Sequence, residues 1–276
     1  MARDVLVVIG GGGMGQAIAR RLGSGKTVLV ADNNELTLQA LTATLVAEGH
    51  QVEARCVDIT SADSVGTLSA EAAALGPVTQ VAHTAGLSLS QASAEAILAV
   101  DLLGVALVLD AFATVIAPGG AGVVIASMAG HLVPALSAER AKVLAHTPAA
   151  ELLGLPFVSR AAVGEPGIAY AIAKQANHVR VRAASCVWGR RDARINSISP
   201  GIISTPMGQQ ELASPVGDGM RSMIAASAAR RLGTPDDIAA AAAFLLGPES
   251  GFITGTDVLV DGGVTAALVI GPPAKA

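Results

Sequence analysis

The sequence predicts an α/β fold, a doubly wound parallel sheet with helices on both faces. Short apolar runs rich in β-branched residues alternate with helix-period segments through the first half. A glycine cluster, Gly10–Gly13 with Gly15, stands where the first apolar run gives way to the first helical segment. No Ser/Gly/Pro-rich linker divides the 276 residues, so residues 1–276 read as a single domain.

Val5–Ile9 is a continuous apolar run, as expected of a strand covered on both faces. The glycine turn ends it, and Met14–Leu22 follows as a helix. Thr27–Ala31 is the second strand, Glu35–Glu48 the second helix and Val52–Val57 the third strand. Ser61–Leu75 is helical, with Ser61 or Asp63 as its cap. Val78–Ala82 is the fourth strand, Ala92–Ala117 a helix in two pieces, and Val123–Ala126 the fifth strand. A stretch without strand character follows, and residues 131–167 within it form an apolar helical insertion with two short helices. Gly167–Trp188 is the next helix, Ala193–Ile198 the sixth strand, Pro235–Leu246 a helix and Asp257–Val260 the last strand. This β-α-β order implies right-handed crossovers in a parallel sheet.

Composition narrows the function. Hydrophobic residues make up 51% and charged residues 14%, a balance that favours a homo-oligomer over a monomer. A net charge of −4 and the lack of a basic tract argue against nucleic-acid and membrane-surface partners. Cys56 and Cys186 lack the spacing of a metal site or a disulfide framework and read as small buried apolar residues. The start of the chain runs straight into a strand, and no apolar run reaches the ~18 residues of a membrane span. A cytoplasmic location is the expectation.

Chemistry centres on Tyr170, the only tyrosine in the chain. Lys174 follows at i+4 on the same helix face, and the chain has only four lysines. An ammonium about 4 Å from the phenol at an effective dielectric near 20 favours phenolate by ~4 kcal/mol, or roughly three pKa units. That shift moves the tyrosine toward neutrality, where it can act as a general acid or base.

Gly10, Gly12 and Gly15 satisfy GxGxxG between a strand and a helix, the Rossmann-type context for a dinucleotide pyrophosphate. Asp32, ending the second strand, is placed to accept both hydroxyls of an adenosine ribose and to repel a 2′-phosphate. No lysine or arginine lies in the glycine turn or directly after Asp32, which selects NAD over NADP. Asp32 is also a possible cap for the second helix. Asp58 ends the third strand, where it meets an adenine edge or simply solvent.

Together with Ser127, these residues resemble the short-chain dehydrogenase/reductase family from about Val5 to Gly263. The family's YxxxK falls on Tyr170 and Lys174, and its serine on Ser127 in Ile125-Ala-Ser-Met-Ala-Gly130. Arg194-Ile-Asn-Ser-Ile-Ser-Pro-Gly201 with Thr205-Pro-Met207 looks like the nicotinamide-side loop. Arg231–Asp236 and Gly255–Gly263 look like the usual C-terminal signature. The resemblance implies that Tyr170 transfers the proton and Ser127 hydrogen-bonds the substrate oxygen. Lys174 tunes the tyrosine and binds the nicotinamide ribose, and Asp101 takes the place of the relay asparagine. The implied NAD contacts are Gly10, Gly12, Gly13, Met14, Gly15, Asp32, Asp58, Ile59, Ala85, Gly86, Tyr170, Lys174, Pro200, Gly201, Ile203 and Thr205, with no metal. The implied reaction interconverts an apolar secondary alcohol, steroid-like ones included, and its ketone.

The chain departs from the family in four places. Only two residues separate Gly10 from Gly13. His83-Thr-Ala-Gly86 replaces Asn-Asn-Ala-Gly, with His83 expected to be a structural hydrogen-bonding residue. Asp101 replaces asparagine. Ser127 and Tyr170 lie 43 residues apart, and a similar insertion occurs in the bacterial 3α-hydroxysteroid dehydrogenase/carbonyl reductase subgroup. The insertion is expected to roof the substrate cleft, to form an interface, or both, leaving a tetramer or a dimer. Asp101 and His83 keep open a second reading, a catalytically silent dinucleotide-binding sensor or structural protein.

Overall fold

Strand β1 (Val5–Ile9) lies at the centre of the architecture and alternates strictly between two cores. Val5, Val7 and Ile9 enter one core, while Leu6 and Val8 enter the other. The computed structural model describes residues 3–90, 92–159 and 163–271. Its seven strands form one sheet in the order β3-β2-β1-β4-β5-β6-β7, with every pairing parallel. The others are β2 (Thr27–Asp32), β3 (Gln51–Cys56), β4 (Val78–His83), β5 (Ile116–Ile125), β6 (Arg194–Pro200) and β7 (Asp257–Val260). Chain order reverses between β1 and β4, so the strand ends there open a crevice suited to a dinucleotide.

Helices α1 (Gly13–Leu22) and α2 (Glu35–Ala47) cover one face. On the other lie α3 (Ala62–Leu75), α4 (Ala94–Leu98), α5 (Val105–Val115) and the long helix between β5 and β6. Asn34, not Asp32, caps α2 by accepting from the Thr37 N–H, so Asp32 is free of that duty. Ser61 caps α3 as expected.

Two corrections concern elements and a third the cysteines. The helix foreseen in two pieces is continuous, because a π-helical turn, Ala99–Gly104, joins α4 to α5. Strand β5 starts seven residues before its predicted start, at Ile116, which pairs with Val78. Pro118-Gly119-Gly120 reads as a turn, but the strand passes through it by a register shift, with Gly119 at φ +78°. Cys56 and Cys186 are free and exposed rather than buried. Cys56 ends an edge strand whose outer positions meet solvent.

The joined helix Ala94–Val115 is apolar and long enough to cross a membrane, contrary to the expectation that no such stretch exists. Most of it is buried against the rest of the chain, as in a core helix of a globular fold.

The insertion builds a third core. After a 3₁₀ turn (Met128–His131) come α6 (Ala138–His146) and a second 3₁₀ stretch (Ala149–Gly154); residues 160–162 of the predicted segment lie outside the described residues. Leu144, Ala149, Leu152 and Val158 pack on Ile97, Leu98 and Leu102 and on Ala169, Ala173 and Ala176 of α7 (Pro166–Trp188). Arg180 of α7 donates to the carbonyls of Leu144 and Thr147, satisfying the end of α6. These apolar side chains are thus buried against their own chain, while most of the insertion's described residues stay exposed or half-buried.

Candidate active site

The first β-α turn is shaped by its neighbours. Gly10 has φ +102°, and a Cβ there would collide with the Ala85 backbone nitrogen. The Thr84 hydroxyl donates to the Gly10 carbonyl at 2.8 Å, fastening the turn to the end of β4. Helix α1 starts at Gly13, with Gly12 at its N-cap, so its unpaired N–H groups face the turn.

A cleft of about 310 Å³ opens over this turn. Gly10, Gly12, Gly13, Met14, Gly15, Asp32, Asp58, Ile59, Ala85, Gly86 and Thr205 all line it, as the sequence predicts. Asn33, Thr37, Thr84 and Leu87 also line it, and the sequence reading missed them. Thr84 sits in the His83–Gly86 segment already singled out, so its position was available as a signal. Gly201 and Ile203 line a separate hollow with Gly233 and Asp261, and neither lines the cleft. The Ile203 carbonyl accepts from the Thr205 N–H, which turns the chain away between the two hollows. Pro200 is buried at the end of β6.

Asp32 is held by backbone donors. One carboxylate oxygen accepts from the Gly11 N–H at 2.7 Å and the other from the Asn34 N–H at 2.9 Å. No lining residue of the cleft is cationic among the described residues. Asp58 accepts from the backbone and hydroxyl of Thr60, which fixes it at the strand end.

Across Gly86 lies a charged cluster without solvent. Asp101 is fully buried and Lys174 only 4% exposed, with Lys174 Nζ 3.4 Å from Asp101 Oδ1 and 3.4 Å from the Ile125 carbonyl. Asp101 also accepts from the Leu87 N–H at 3.1 Å. It meets Lys174 directly. A Cβ on Gly86 would sit 2.7 Å from Asp101 Oδ1, so this glycine makes room for the pair. Burial opposes the Lys174 charge, but Asp101 and Tyr170 outweigh it and hold the ammonium above its ordinary value. Burial also pushes the Asp101 carboxyl up, against Lys174 and the Leu87 N–H.

Lys174 Nζ lies 5.3 Å from the centre of the Tyr170 ring. Ser127 acts on the phenol in the direction of ionisation, and its hydroxyl oxygen accepts from the Ala129 N–H. The predicted acidification of Tyr170 is overturned. Burial raises the phenol above its ordinary value, Asp101 adds to the rise, and Lys174 with Ser127 only partly offset it. The sequence estimate included the lysine and omitted the cost of burial.

His83 is likewise corrected. It is 1% exposed, and neither ring nitrogen has a hydrogen-bond partner among the described residues. Burial, with Lys174 adding to it, lowers its pKa to about 3, so the ring stays neutral.

The arrangement combines a nucleotide-sized crevice with a carboxylate on its wall, and a phenol, hydroxyl and buried ammonium that do not line the crevice but lie behind Gly86 and Leu87. Residues 4–138 match the family model described as short chain dehydrogenase. Residues 133–265 match one described as Enoyl-(Acyl carrier protein) reductase. The short-chain dehydrogenase/reductase bsc3 of Alternaria brassicicola is 42% identical over 97% of this chain and 98% of its own. The 3-alpha-hydroxysteroid dehydrogenase/carbonyl reductase of Comamonas testosteroni is 33% identical over 38% of this chain and 41% of its own. Levodione reductase has the same fold, with a TM-score of 0.76 at 24% identity over 97% of this chain and 99% of its own.

Proposed function

We propose a particular reaction for this chain, starting from its membership of the short-chain dehydrogenase/reductase family: the chain belongs to that family of oxidoreductases, which act on alcohols and ketones with a nicotinamide dinucleotide. The reaction is the NAD(H)-dependent interconversion of an apolar secondary alcohol, steroid-like ones included, and its ketone.

The residues present fit that cofactor. At Gly12 a Cβ would meet nothing within 4 Å, so the turn faces open space there, and Asp32 offers a carboxylate beside the cleft. In this reading the N-terminus of α1 holds the pyrophosphate and Asp32 the adenosine ribose, rejecting a 2′-phosphate that no lining cation would neutralise. Lys174 holds the nicotinamide ribose, and Thr205, the one residue of the predicted nicotinamide-side set that lines the cleft, bounds the nicotinamide side. When bound, the nicotinamide supplies hydride acceptance or donation at the substrate carbon.

Tyr170 donates its proton to the carbonyl oxygen in the reductive direction and Ser127 hydrogen-bonds that oxygen. A raised phenol remains protonated at neutral pH, which suits it to the donor role. Asp101 keeps Lys174 charged. The observation that carries the reading is the Asp101–Lys174 pair beside Tyr170 and Ser127, packed behind Gly86 and Leu87 of the cleft wall. The insertion covers part of α4, α5 and α7, which favours a dimer over a tetramer in this reading; a cytoplasmic location is part of the same proposal.

Calorimetry with NAD(H) and NADP(H), followed by turnover of an alcohol and ketone panel, tests the reading. Preference for NADP(H) removes Asp32 from the ribose site. NAD binding without turnover of any panel member leaves the silent sensor as the better account.

A further inference from the structure

Three residues distant in sequence meet behind the reacting groups. His131 ends the 3₁₀ turn that follows Ser127, His178 stands one helical turn beyond Lys174 on α7, and Asp257 opens β7. His131 Nε2 lies 2.7 Å from Asp257 Oδ2, and His178 Nε2 lies 3.6 Å from Asp257 Oδ1. The imidazole centres are 4.6 Å apart, and the three donor atoms all lie within 4.8 Å of one another. We propose that His131, His178 and Asp257 form a binding site for a zinc-class divalent cation, which fastens the turn after Ser127 to the catalytic helix and to β7.

Zinc bonds of about 2.0–2.2 Å in tetrahedral geometry hold neighbouring ligand atoms roughly 3.3–3.5 Å apart. The 3.6 Å from His178 Nε2 to Asp257 Oδ1 is close to that spacing, but His131 meets the other oxygen, Oδ2, so the carboxylate must turn a single oxygen toward both rings. The His131–Asp257 contact is a hydrogen bond, and it must lengthen by about 0.6 Å to admit an ion. That adjustment falls on His131, whose side chain is 32% exposed, whereas those of His178 and Asp257 are 11% and 9% exposed. The exposed side also gives the ion an entry path and a fourth position for water.

Outer contacts orient the donors as metal ligands require. The Ser197 hydroxyl donates to Asp257 Oδ1 at 2.5 Å, and the Ser199 hydroxyl lies 2.9 Å from His178 Nε2. Ser199 must turn its hydrogen bond elsewhere when that nitrogen binds the ion. Burial keeps His178 neutral, the form that coordinates. Two imidazoles with one carboxylate select zinc or a similar first-row ion over calcium or magnesium, which take oxygen donors.

The test uses the full-length protein, dialysed against chelator and titrated with Zn2+ by calorimetry and with Co2+ by visible absorption. The expected result is one equivalent of Zn2+ per chain with micromolar or tighter affinity, a tetrahedral Co2+ spectrum and a raised melting temperature. His131→Ala, a change at an exposed position, should weaken binding at least tenfold, and Asp257→Asn should do the same. His146→Ala, on the insertion, should change nothing. Should Asp257→Asn fail to fold, His131→Ala alone decides. Absence of a stoichiometric isotherm overturns the site, as does an isotherm that His131→Ala leaves unchanged or that His146→Ala abolishes.

Discussion

At the glycine turn the cleft presents backbone N–H groups and Asp32, a carboxylate within reach of solvent and tethered by two backbone donors. At the other end Asp101 and Lys174 face each other with almost no exposure, beside a neutral buried His83. The first end recognises a ligand with groups that cost little to maintain. The second holds charge where desolvation is expensive, so its residues depend on one another for stability as well as chemistry. Substitutions at the nucleotide end should therefore change affinity and selectivity, while those at the reactive end should disturb folding, turnover or both.

The largest effect expected is on acid stability, and it comes from His83. Its folded pKa of about 3 lies below the ordinary 6.5, so its contribution is complete above pH ~6.5 and is lost as pH falls toward 3. The whole shift corresponds to roughly 5 kcal/mol as an upper figure. Urea unfolding from pH 7.5 to 4.5 should show a shallower loss for His83→Asn than for the parent. Parallel slopes would mean that His83 does not belong with the buried reactive end.

Tyr170→Phe should lower turnover at least ~10³-fold, about 4 kcal/mol in barrier, while dinucleotide affinity by calorimetry stays within about threefold. Loss of both together would erase the division between the two ends. Asp101→Ala strands a buried ammonium and should destabilise the fold by ~3 kcal/mol in urea unfolding. Asp101→Asn keeps an acceptor for the Leu87 N–H and should leave activity within about tenfold. If Asp101→Ala is as stable as the parent, the Lys174 pair contributes nothing.

The smallest effect belongs to the exposed end. Asp32→Ser should reduce the preference for NAD over NADP about tenfold, ~1.4 kcal/mol, without changing the melting temperature. An equal loss of affinity for both dinucleotides would show that Asp32 acts only by holding the Gly11 N–H.

The same division explains what was legible in the sequence. The nucleotide end is written in local pattern: the β1 run, glycines at fixed spacing and Asp32 at the end of β2 are all contiguous signals. The Pro206–Leu212 helix was equally readable, since Thr205-Pro206 is a cap followed by proline at the first helical position, yet it was missed. So were Gly217–Ala226 and Val264–Val269, which begin at or beside glycine and carry no polar side-chain cap. At the reactive end, Tyr170 and Lys174 share a helix face and are easily paired. Their electrostatics are not local. Asp101 and Leu87 arrive from other segments, and burial decides the direction of the tyrosine shift. The His131, His178 and Asp257 cluster joins three separate elements, and no spacing in the chain announces it.

The π turn at Ala99–Gly104 contains Asp101 itself. Such a turn carries one residue more than an α turn, and each helical residue advances the side chains by 100°. The helix before it and the helix after it are therefore out of phase, each keeping its own apolar stripe inward while Asp101 stays turned toward Lys174. Removing one residue here would let the helix close into a regular α spiral and swing either the carboxylate or the Val105–Val115 stripe out of place. A single surplus residue thus acts as a phase adjuster, letting one helix serve a hydrocarbon core and a charged site that an unbroken 3.6-residue period cannot satisfy together.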